Sequence, residues 1–296
     1  QAYALREGFR SVGVTDNQTV GIFETMLDSK SLYMIPNCET IYCWMWLDLK
    51  DGPLVIEAPP KTLGLINDFW FNYVTDIGNA GPDRGKGGKY LLLPPGYTGE
   101  VPEGYYVFRS KTYGNLCAWR GFQVEGDPKP AVELIKKFTK VYVLAQAENP
   151  PPMKYINLSG KAVNTVAAND FSFYEHIHIV VQEEPNNSLN PDTIGLLAAI
   201  GIVKTKPFLP DARMKAILTE AVAVGNATAR VNLFTSRIKQ RFLYPDSAWC
   251  TVYFCGNHEF LLDGVPSLDA RIAYWYFANG ISPAMVLKMV GVGSQY

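Results

Sequence analysis

The chain has 296 residues, of which 48% are hydrophobic, 13% aromatic and 19% charged. This composition is typical of a globular chain that buries a substantial core, and the length allows two domains. The formal net charge is −1 with no basic stripe, which excludes phosphate neutralisation as a basis for nucleic-acid binding. No apolar run reaches the roughly 18 residues of a membrane span.

The first half of the chain predicts mostly β structure. Residues 1–30 are the exception, since their apolar positions recur at near-helical spacing and predict a helix. Between residues 36 and 120, short runs of β-branched and aromatic residues alternate with Gly/Pro turn clusters, which is typical of an antiparallel sandwich or barrel. The predicted strands are residues 40–49, 54–58, 65–73, 89–93, 105–110 and 116–122.

The hydrophobic period changes after residue 130, where helical spacing replaces alternation. The predicted helices are residues 130–145, 170–184, 192–201, 211–239, 269–279 and 283–290, and one further strand is predicted at residues 249–254. Three consecutive prolines at positions 150–152 form the best linker. We therefore expect a β-rich domain over residues 1–150, a helical region over 151–245 and a second module over 246–296.

This segregated order predicts an α+β fold. An amino-terminal antiparallel β-sandwich or barrel-like domain comes first and a helical middle follows. The last part is the start of a second, jelly-roll-like β-sandwich.

The strand at residues 40–49 has two different faces, because alternate side chains of a strand point to opposite sides. One face is aliphatic or sulfur-bearing and is predicted to form the core. The other carries Thr40, Tyr42, Trp44, Trp46 and Asp48, and we expect it to line a cleft or a solvent-facing surface.

Several motifs resemble the bacterial domain of unknown function 1254. They are Asn37-x-x-Thr40-x-Tyr42, Leu47-Asp48-Leu49, Gly52-Pro53-Leu54-Val55, the glycine-rich run from Gly85 to Tyr97, and Thr112 with Arg120. The last third resembles the opening of its usual partner, domain of unknown function 1214, through Trp249, Gly264, Leu268-Asp269-Ala270-Arg271 and Gly291-x-Gly293-Ser294-Gln295-Tyr296. This resemblance implies paired β-sandwich or barrel modules with helices between them, and no agreed chemistry. The family usually has Asp at the position of Glu39.

The resemblance also implies that the second module continues beyond the last residue given. We expect the remaining strands to exist as a companion fragment, a continuation of the chain, or strands of a neighbouring subunit, so the protein is predicted to be oligomeric or to have such a companion. The chain begins at Gln1, which predicts a processed or trimmed amino terminus. The compartment is left open between cytoplasmic and periplasmic or secreted.

Hydrogen-bonding side chains cluster just before the strand at residues 40–49. Glu39 and Tyr42 are candidate catalytic residues that exchange a proton with a substrate, with Arg120 as a third. Asn37 and Thr40 are candidate ligand-binding residues. The alternative is a turn in which Asn37 and Thr40 satisfy backbone groups.

Three further groups of residues were weighed as sites. In the glycine-rich loop at residues 78–89, Arg84 and Lys86 together with backbone amides are candidates for binding an anion, although a solvated hairpin is the more economical reading. Trp46 and Trp70 are candidates for an aromatic-lined cleft. Carboxylates for glycoside hydrolysis are available from the set Glu39, Asp48, Asp68 and Asp76.

A metal site is not predicted. His176 and His178 are two residues apart in a predicted helix, which directs their rings about 200° apart. No cofactor fingerprint is present, so no cofactor is predicted.

The functional prediction is a hydrolase-like enzyme that acts on a small molecule or polymer in an aromatic, carboxylate-containing cleft. The alternative is a non-catalytic ligand-binding or surface and assembly protein. Convergence of Glu39, Tyr42, Trp46, Trp70 and Arg120 on one pocket would favour the enzyme, and scatter would favour the alternative.

Overall fold

A computed structural model describes residues 1–31, 37, 39–235, 238–276, 278 and 280–286. Within these residues the helices are α1 (Ala2–Ser11), α2 (Lys129–Phe138), α3 (Ser172–Glu183), α4 (Pro191–Ala199), α5 (Ala212–Phe234), α6 (Leu268–Trp275) and α7 (Pro283–Val286). The strands are β1 (Thr19–Ile22), β2 (Thr40–Asp48), β3 (Leu54–Ala58), β4 (Thr62–Asp68), β5 (Tyr73–Gly78), β6 (Gly88–Leu93), β7 (Tyr106–Arg109), β8 (Gly114–Phe122), β9 (Lys140–Val143), β10 (Lys154–Asn157), β11 (Leu261–Leu262) and β12 (Val265–Pro266).

Two open sheets form the first part of the molecule. The larger has the strand order β10-β1-β2-β8-β4-β5, and the smaller has the order β7-β6-β3-β9. Pairing is antiparallel except for β1 with β10 and β6 with β7. β2 and β8 pair along their whole length, from Thr40 opposite Phe122 to Asp48 opposite Gly114. The α+β class is confirmed.

The main core lies between the two sheets. It joins the aliphatic face of β2 to inward side chains of β3 and β6, and α2 adds Ala131, Val132 and Ile135. Ile41, Cys43, Met45, Leu47 and Leu49 are all buried there, so the predicted core face of β2 is confirmed. Among the core clusters of the described residues this one has the most buried members, and burial of apolar surface is the dominant favourable contribution to folding.

The opposite face of β2 does not line a cleft or meet solvent, so that prediction is wrong. Tyr42, Trp44 and Trp46 belong to a second core, in which α1 contributes Leu5 and Phe9. Trp46 is only 3% exposed. Because helices cover this face, the larger sheet is buried on both sides.

Glycine permits close packing of β4 and β5 against their neighbours. A Cβ atom on Gly64 would lie 2.6 Å from the carbonyl oxygen of Ala118. Gly78 has φ +74°, and its Cβ would lie 2.0 Å from the carbonyl oxygen of Thr62. Side chains at these two positions would force the backbones apart.

Several predicted elements differ from the observed ones. The helix predicted over residues 1–30 is confined to α1, and β1 follows it. The strand predicted at 65–73 spans the turn between β4 and β5, and the helix predicted at 130–145 ends at Phe138, before β9. β10 follows the three prolines and pairs with β1, so the larger sheet extends beyond the predicted domain boundary at residue 150.

The last part of the described chain is mainly helical and irregular. Residues 249–254 do not form the predicted strand, and the β structure described after α5 is the short β11–β12 hairpin and one bridge between Phe242 and Cys250. Residues 287–296, which include the motif from Gly291 to Tyr296, lie outside the described residues. No helix in the described part of the chain combines the length and apolarity needed to cross a membrane.

Candidate functional site

A cavity of about 340 Å³ lies between α1, the β4–β5 turn, α3 and α6. We call it the aromatic cavity. Its wall is formed by Gln1, Ala2, Tyr3, Ala4, Phe69, Trp70, Phe71, Ala167, Ala168, Phe173, His176, Ile177, Val180, Arg271, Ile272 and Trp275. The wall is therefore mostly aromatic and aliphatic, with a few polar side chains, as is usual for small-molecule sites.

The β4–β5 turn places three consecutive aromatic residues, Phe69 to Phe71, on the wall. The Asp68 carboxylate holds the turn by accepting hydrogen bonds from the backbone N–H groups of Trp70 (2.9 Å) and Asn72 (2.8 Å). Phe71 has φ 58°, a left-handed conformation that is unfavourable for a bulky side chain and persists only where the surroundings impose it. The turn therefore uses backbone strain to direct aromatic rings into the cavity.

Two helices contribute side chains at helical spacing. On α3 the wall residues are Phe173, His176, Ile177 and Val180, which share one face because their positions differ by three, four and seven. On α6, Arg271 and Trp275 are four residues apart and share a face in the same way. The His176 ring stacks on Tyr3 of α1, with ring centroids 4.4 Å apart.

Polar and aromatic contacts fix the wall elements to one another. Arg6 of α1 donates two hydrogen bonds to Glu183 of α3, at 2.6 and 3.3 Å. The indole Nε1 of Trp70 donates to the Ser188 hydroxyl (2.8 Å). Phe71 stacks on Trp275 with centroids 4.6 Å apart. The wall is therefore largely preformed, which reduces the entropy that a ligand must remove on binding.

A buried carboxylate connects α3 to the sheet. Glu184 is 2% exposed and accepts hydrogen bonds from the backbone N–H groups of Tyr113 (2.6 Å) and Gly114 (2.9 Å). Burial raises the pKa of Glu184 from 4.5 to about 7, against the opposing effect of the two backbone donors. This contact holds the carboxyl-terminal end of α3 and so positions the helix face that lines the cavity.

Arg271 is the one arginine or lysine among the described residues of the cavity wall. Its Nη2 donates to the carbonyl oxygen of Trp70 (3.1 Å), and its guanidinium carbon lies 5.9 Å from the ring centroid of Trp275 and 5.8 Å from that of Phe260. Burial lowers the pKa of Arg271, while the nearby Asp68 carboxylate acts in the opposite direction.

The predicted site at the start of β2 lies away from the cavity. The Asn37 side chain accepts hydrogen bonds from the backbone N–H groups of Glu39 and Thr40, both at 3.0 Å, and donates to the Tyr42 hydroxyl (2.9 Å). Arg120 pairs with Tyr42 across the sheet and lies over its ring at 5.2 Å. Glu39 is exposed. The geometry matches the alternative considered for this segment, a turn that satisfies backbone groups.

The glycine-rich loop holds a carboxylate of its own. The buried Asp83 side chain accepts hydrogen bonds from the backbone N–H groups of Gly78 (2.8 Å) and Gly87 (3.0 Å) and from the Tyr90 hydroxyl (2.5 Å). Arg84 and Lys86 are exposed beside it. Two of the backbone amides of this loop are therefore already engaged by a carboxylate of the chain itself.

Convergence on one pocket was expected to separate the two functional hypotheses. Among the described residues that line the aromatic cavity, Trp70 is the one member of the set Glu39, Tyr42, Trp46, Trp70 and Arg120. Trp46 lies beneath it, edge-on to Phe69 at 4.9 Å. The carboxylates Glu39, Asp48, Asp68 and Asp76 do not line the cavity. His178 lies against Phe208, whereas His176 stacks on Tyr3, and no group of three or more potential metal-ligating His, Cys, Asp or Glu residues was found in the described chain.

Sequence reasoning missed most of the cavity. Arg271 was noted only within a family-like motif, and His176 was considered only as a metal ligand. The Phe69-Trp70-Phe71 triplet between Asp68 and Asn72 was the available signal, because aromatic side chains commonly line small-molecule sites.

The amino-terminal half resembles a known family. Residues 18–143 match the family model described as "Protein of unknown function (DUF1254)". This range includes the larger part of both sheets and the β4–β5 turn but ends before α3 and α6. The resemblance of the last third to the second family, domain of unknown function 1214, stays a prediction.

The whole fold is similar to a solved structure. The crystal structure of the VPA0106 protein from Vibrio parahaemolyticus matches with a TM-score of 0.60 and 15% sequence identity. The match covers 96% of this chain and 66% of that chain, so this chain spans slightly less than two thirds of the length of the Vibrio protein. At this identity the match shows the fold alone. No curated protein matches this chain.

Proposed function

We propose that the protein binds a small organic molecule with a flat, apolar body in the aromatic cavity. The observation that carries the proposal is the wall itself, in which six aromatic side chains surround about 340 Å³. They are Tyr3, Phe69, Trp70, Phe71, Phe173 and Trp275. Ligand cavities range from roughly 300 to 1,000 Å³ and have this combination of apolar walls and few polar groups, so the size suits a ligand of one or two fused rings.

The construction of the wall supports binding rather than incidental packing. The turn that supplies Phe69 to Phe71 is held in a strained conformation by Asp68, and Trp70 is tied to Ser188. The left-handed conformation at Phe71 is unfavourable by roughly 1–3 kcal/mol, and strain of this kind is concentrated at ligand-binding and active sites.

The wall favours binding over hydrolysis. Among the described residues, those that line the cavity include no Asp, Glu, Ser, Thr or Cys, and the four carboxylates of the hydrolase hypothesis are not among them. The scatter of Glu39, Tyr42, Trp46 and Arg120 away from Trp70 also supports the non-catalytic alternative. Hydrolysis stays a prediction without a supporting observation in this cavity.

Isothermal titration calorimetry with the neutral probe naphthalene-2-carboxamide tests the proposal. We expect one-to-one binding with a Kd below about 1 mM, which corresponds to about 4 kcal/mol. Ala168→Phe places a ring on the wall and should abolish binding, whereas Ala216→Phe, at an exposed position of α5, should leave the Kd unchanged. The proposal fails if the unmodified protein does not bind the probe, or if the Ala168→Phe protein binds it equally well.

A further inference from the structure

The guanidinium of Arg271, on the wall of the aromatic cavity, has few hydrogen-bond partners among the described residues. The Arg271 guanidinium lies near the rings of Phe260 and Trp275 and donates one hydrogen bond within the described structure, to the carbonyl oxygen of Trp70. A guanidinium has five N–H donors in a fixed planar arrangement. Most of this donor capacity is therefore not used by the described residues.

Arg271 also forms no ion pair with a described carboxylate. Asp68 is close enough to affect it electrostatically, but its oxygens accept hydrogen bonds from the backbone N–H groups of Trp70 and Asn72 and from the Asn72 side chain. Asp68 therefore serves the turn, and it compensates the Arg271 charge only at a distance.

Arg6 and Arg10 of α1, unlike Arg271, form ion pairs with carboxylates. Arg6 is paired with Glu183 and Glu7, and Arg10 is paired with Glu7 and Asp16. An arginine charge taken from water without a nearby counter-ion is unfavourable, and an anion that enters the same site removes this penalty. Arg271 lacks an ion-pair partner among the described carboxylates and also lies on the wall of the aromatic cavity.

We infer that the ligand of the aromatic cavity is an aromatic carboxylate, whose carboxylate group pairs with the guanidinium of Arg271 while its ring lies among the aromatic side chains of the wall. The inference rests on the proposed function and adds a charge to the ligand. A planar guanidinium matches the geometry of a carboxylate, since two parallel N–H groups face two oxygens.

A carboxylate is favoured over a phosphate by the count of charges. Phosphate monoesters carry about 1.5–2 negative charges at neutral pH and are usually held by several cations or by clustered backbone N–H groups. The described wall offers one permanent cation, and the exposed loop cations Arg84 and Lys86 are not part of it. A single negative charge is the better match.

A matched pair of probes tests the inference, because naphthalene-2-carboxylate and naphthalene-2-carboxamide differ mainly in charge. For the unmodified protein we expect the carboxylate to bind about 10- to 100-fold more tightly, the range of a charge-assisted hydrogen bond. Arg271→Met should remove this preference and leave the carboxamide Kd within about threefold. Arg213→Met, on the exposed surface of α5, makes the same change in net charge and should keep the preference.

The outcomes separate the inference from the proposed function. If neither probe binds the unmodified protein, the proposed function fails. If both probes bind equally, the cavity binds ligands and the role of Arg271 as an anion-binding residue is refuted. A preference that survives in Arg271→Met would also refute it. Should Arg271→Met not fold, Arg271→Gln takes its place, because Gln also removes the charge, and a carboxylate preference that survives in Arg271→Gln overturns the inference.

Discussion

The buried carboxylate of Glu184 provides a quantitative test of how α3 is held against the sheet. Its pKa is raised by burial from 4.5 to about 7. Between these two values the folded protein therefore binds the proton more tightly than the unfolded chain does. The stabilisation from this proton is complete below about pH 4.5 and is lost as the pH rises through about 7.

Replacement of Glu184 by Gln removes this titration and keeps the shape of the side chain. One pH unit of difference in pKa corresponds to about 1.4 kcal/mol, so the interval from 4.5 to about 7 corresponds to at most about 3 kcal/mol. The free energy of unfolding of the unmodified protein minus that of Glu184→Gln should therefore fall by up to about 3 kcal/mol from pH 4.5 to pH 8.

Urea unfolding at several pH values, followed by tryptophan fluorescence, measures this difference. Contributions from other titrating groups cancel, because both proteins contain them. Glu175→Gln is the matched control, since it makes the same chemical change at an exposed position of the same helix. A difference for Glu184→Gln that stays constant within about 0.5 kcal/mol, or that rises with pH, would refute the reasoning.

Three further changes test other contacts. Gly78→Ala should lower the free energy of unfolding by more than about 2 kcal/mol, because the new Cβ meets a β4 carbonyl. Gly225 lies in open space on α5, so Gly225→Ala should raise the free energy of unfolding by up to about 1 kcal/mol. The urea midpoints of the two variants test this difference. Asn67→Ala removes two 2.8 Å hydrogen bonds with the backbone of Ile281, so limited proteolysis should cleave the last described segment faster, and an unchanged rate would contradict this. Asp76→Asn should be compared with the unmodified protein between pH 4 and 8: burial raises the pKa of Asp76 to about 6, so the advantage of the unmodified protein should decline as the pH rises through 6, and a pH-independent difference would contradict it.

Local pattern was sufficient for the elements that carry a strong period or clear boundaries. β2 was predicted from its aromatic and β-branched alternation, and its aliphatic face forms the main core. α3 was predicted between Asp170 and Pro185, and α5 from a long helical run. In these segments the side-chain pattern and the backbone preference agree, so neighbouring elements were not needed to decide the state.

Other elements depended on partners that a local pattern does not contain. β1 is four residues long and contains Gly21, and it is a strand because β2 and β10 pair with it on either side. The residues at 249–254 have the composition of a strand but pair with no sheet, apart from the bridge at Cys250. Strand propensity mainly reports fit to a neighbouring surface, so it fails where that neighbour is missing or unexpected.

The sequence by itself determined the α+β class and the core face of β2. The candidate site in the polar segment before β2 stays a prediction, because polar residues before a strand serve a turn as readily as a ligand. The aromatic cavity was decided by tertiary structure alone. Arg271 and the Trp70 carbonyl that it contacts are 201 positions apart, and no local period relates two residues at such a separation. Only the packing of α3 and α6 on the β4–β5 turn brings a half-buried positive charge and the aromatic rings to the same wall.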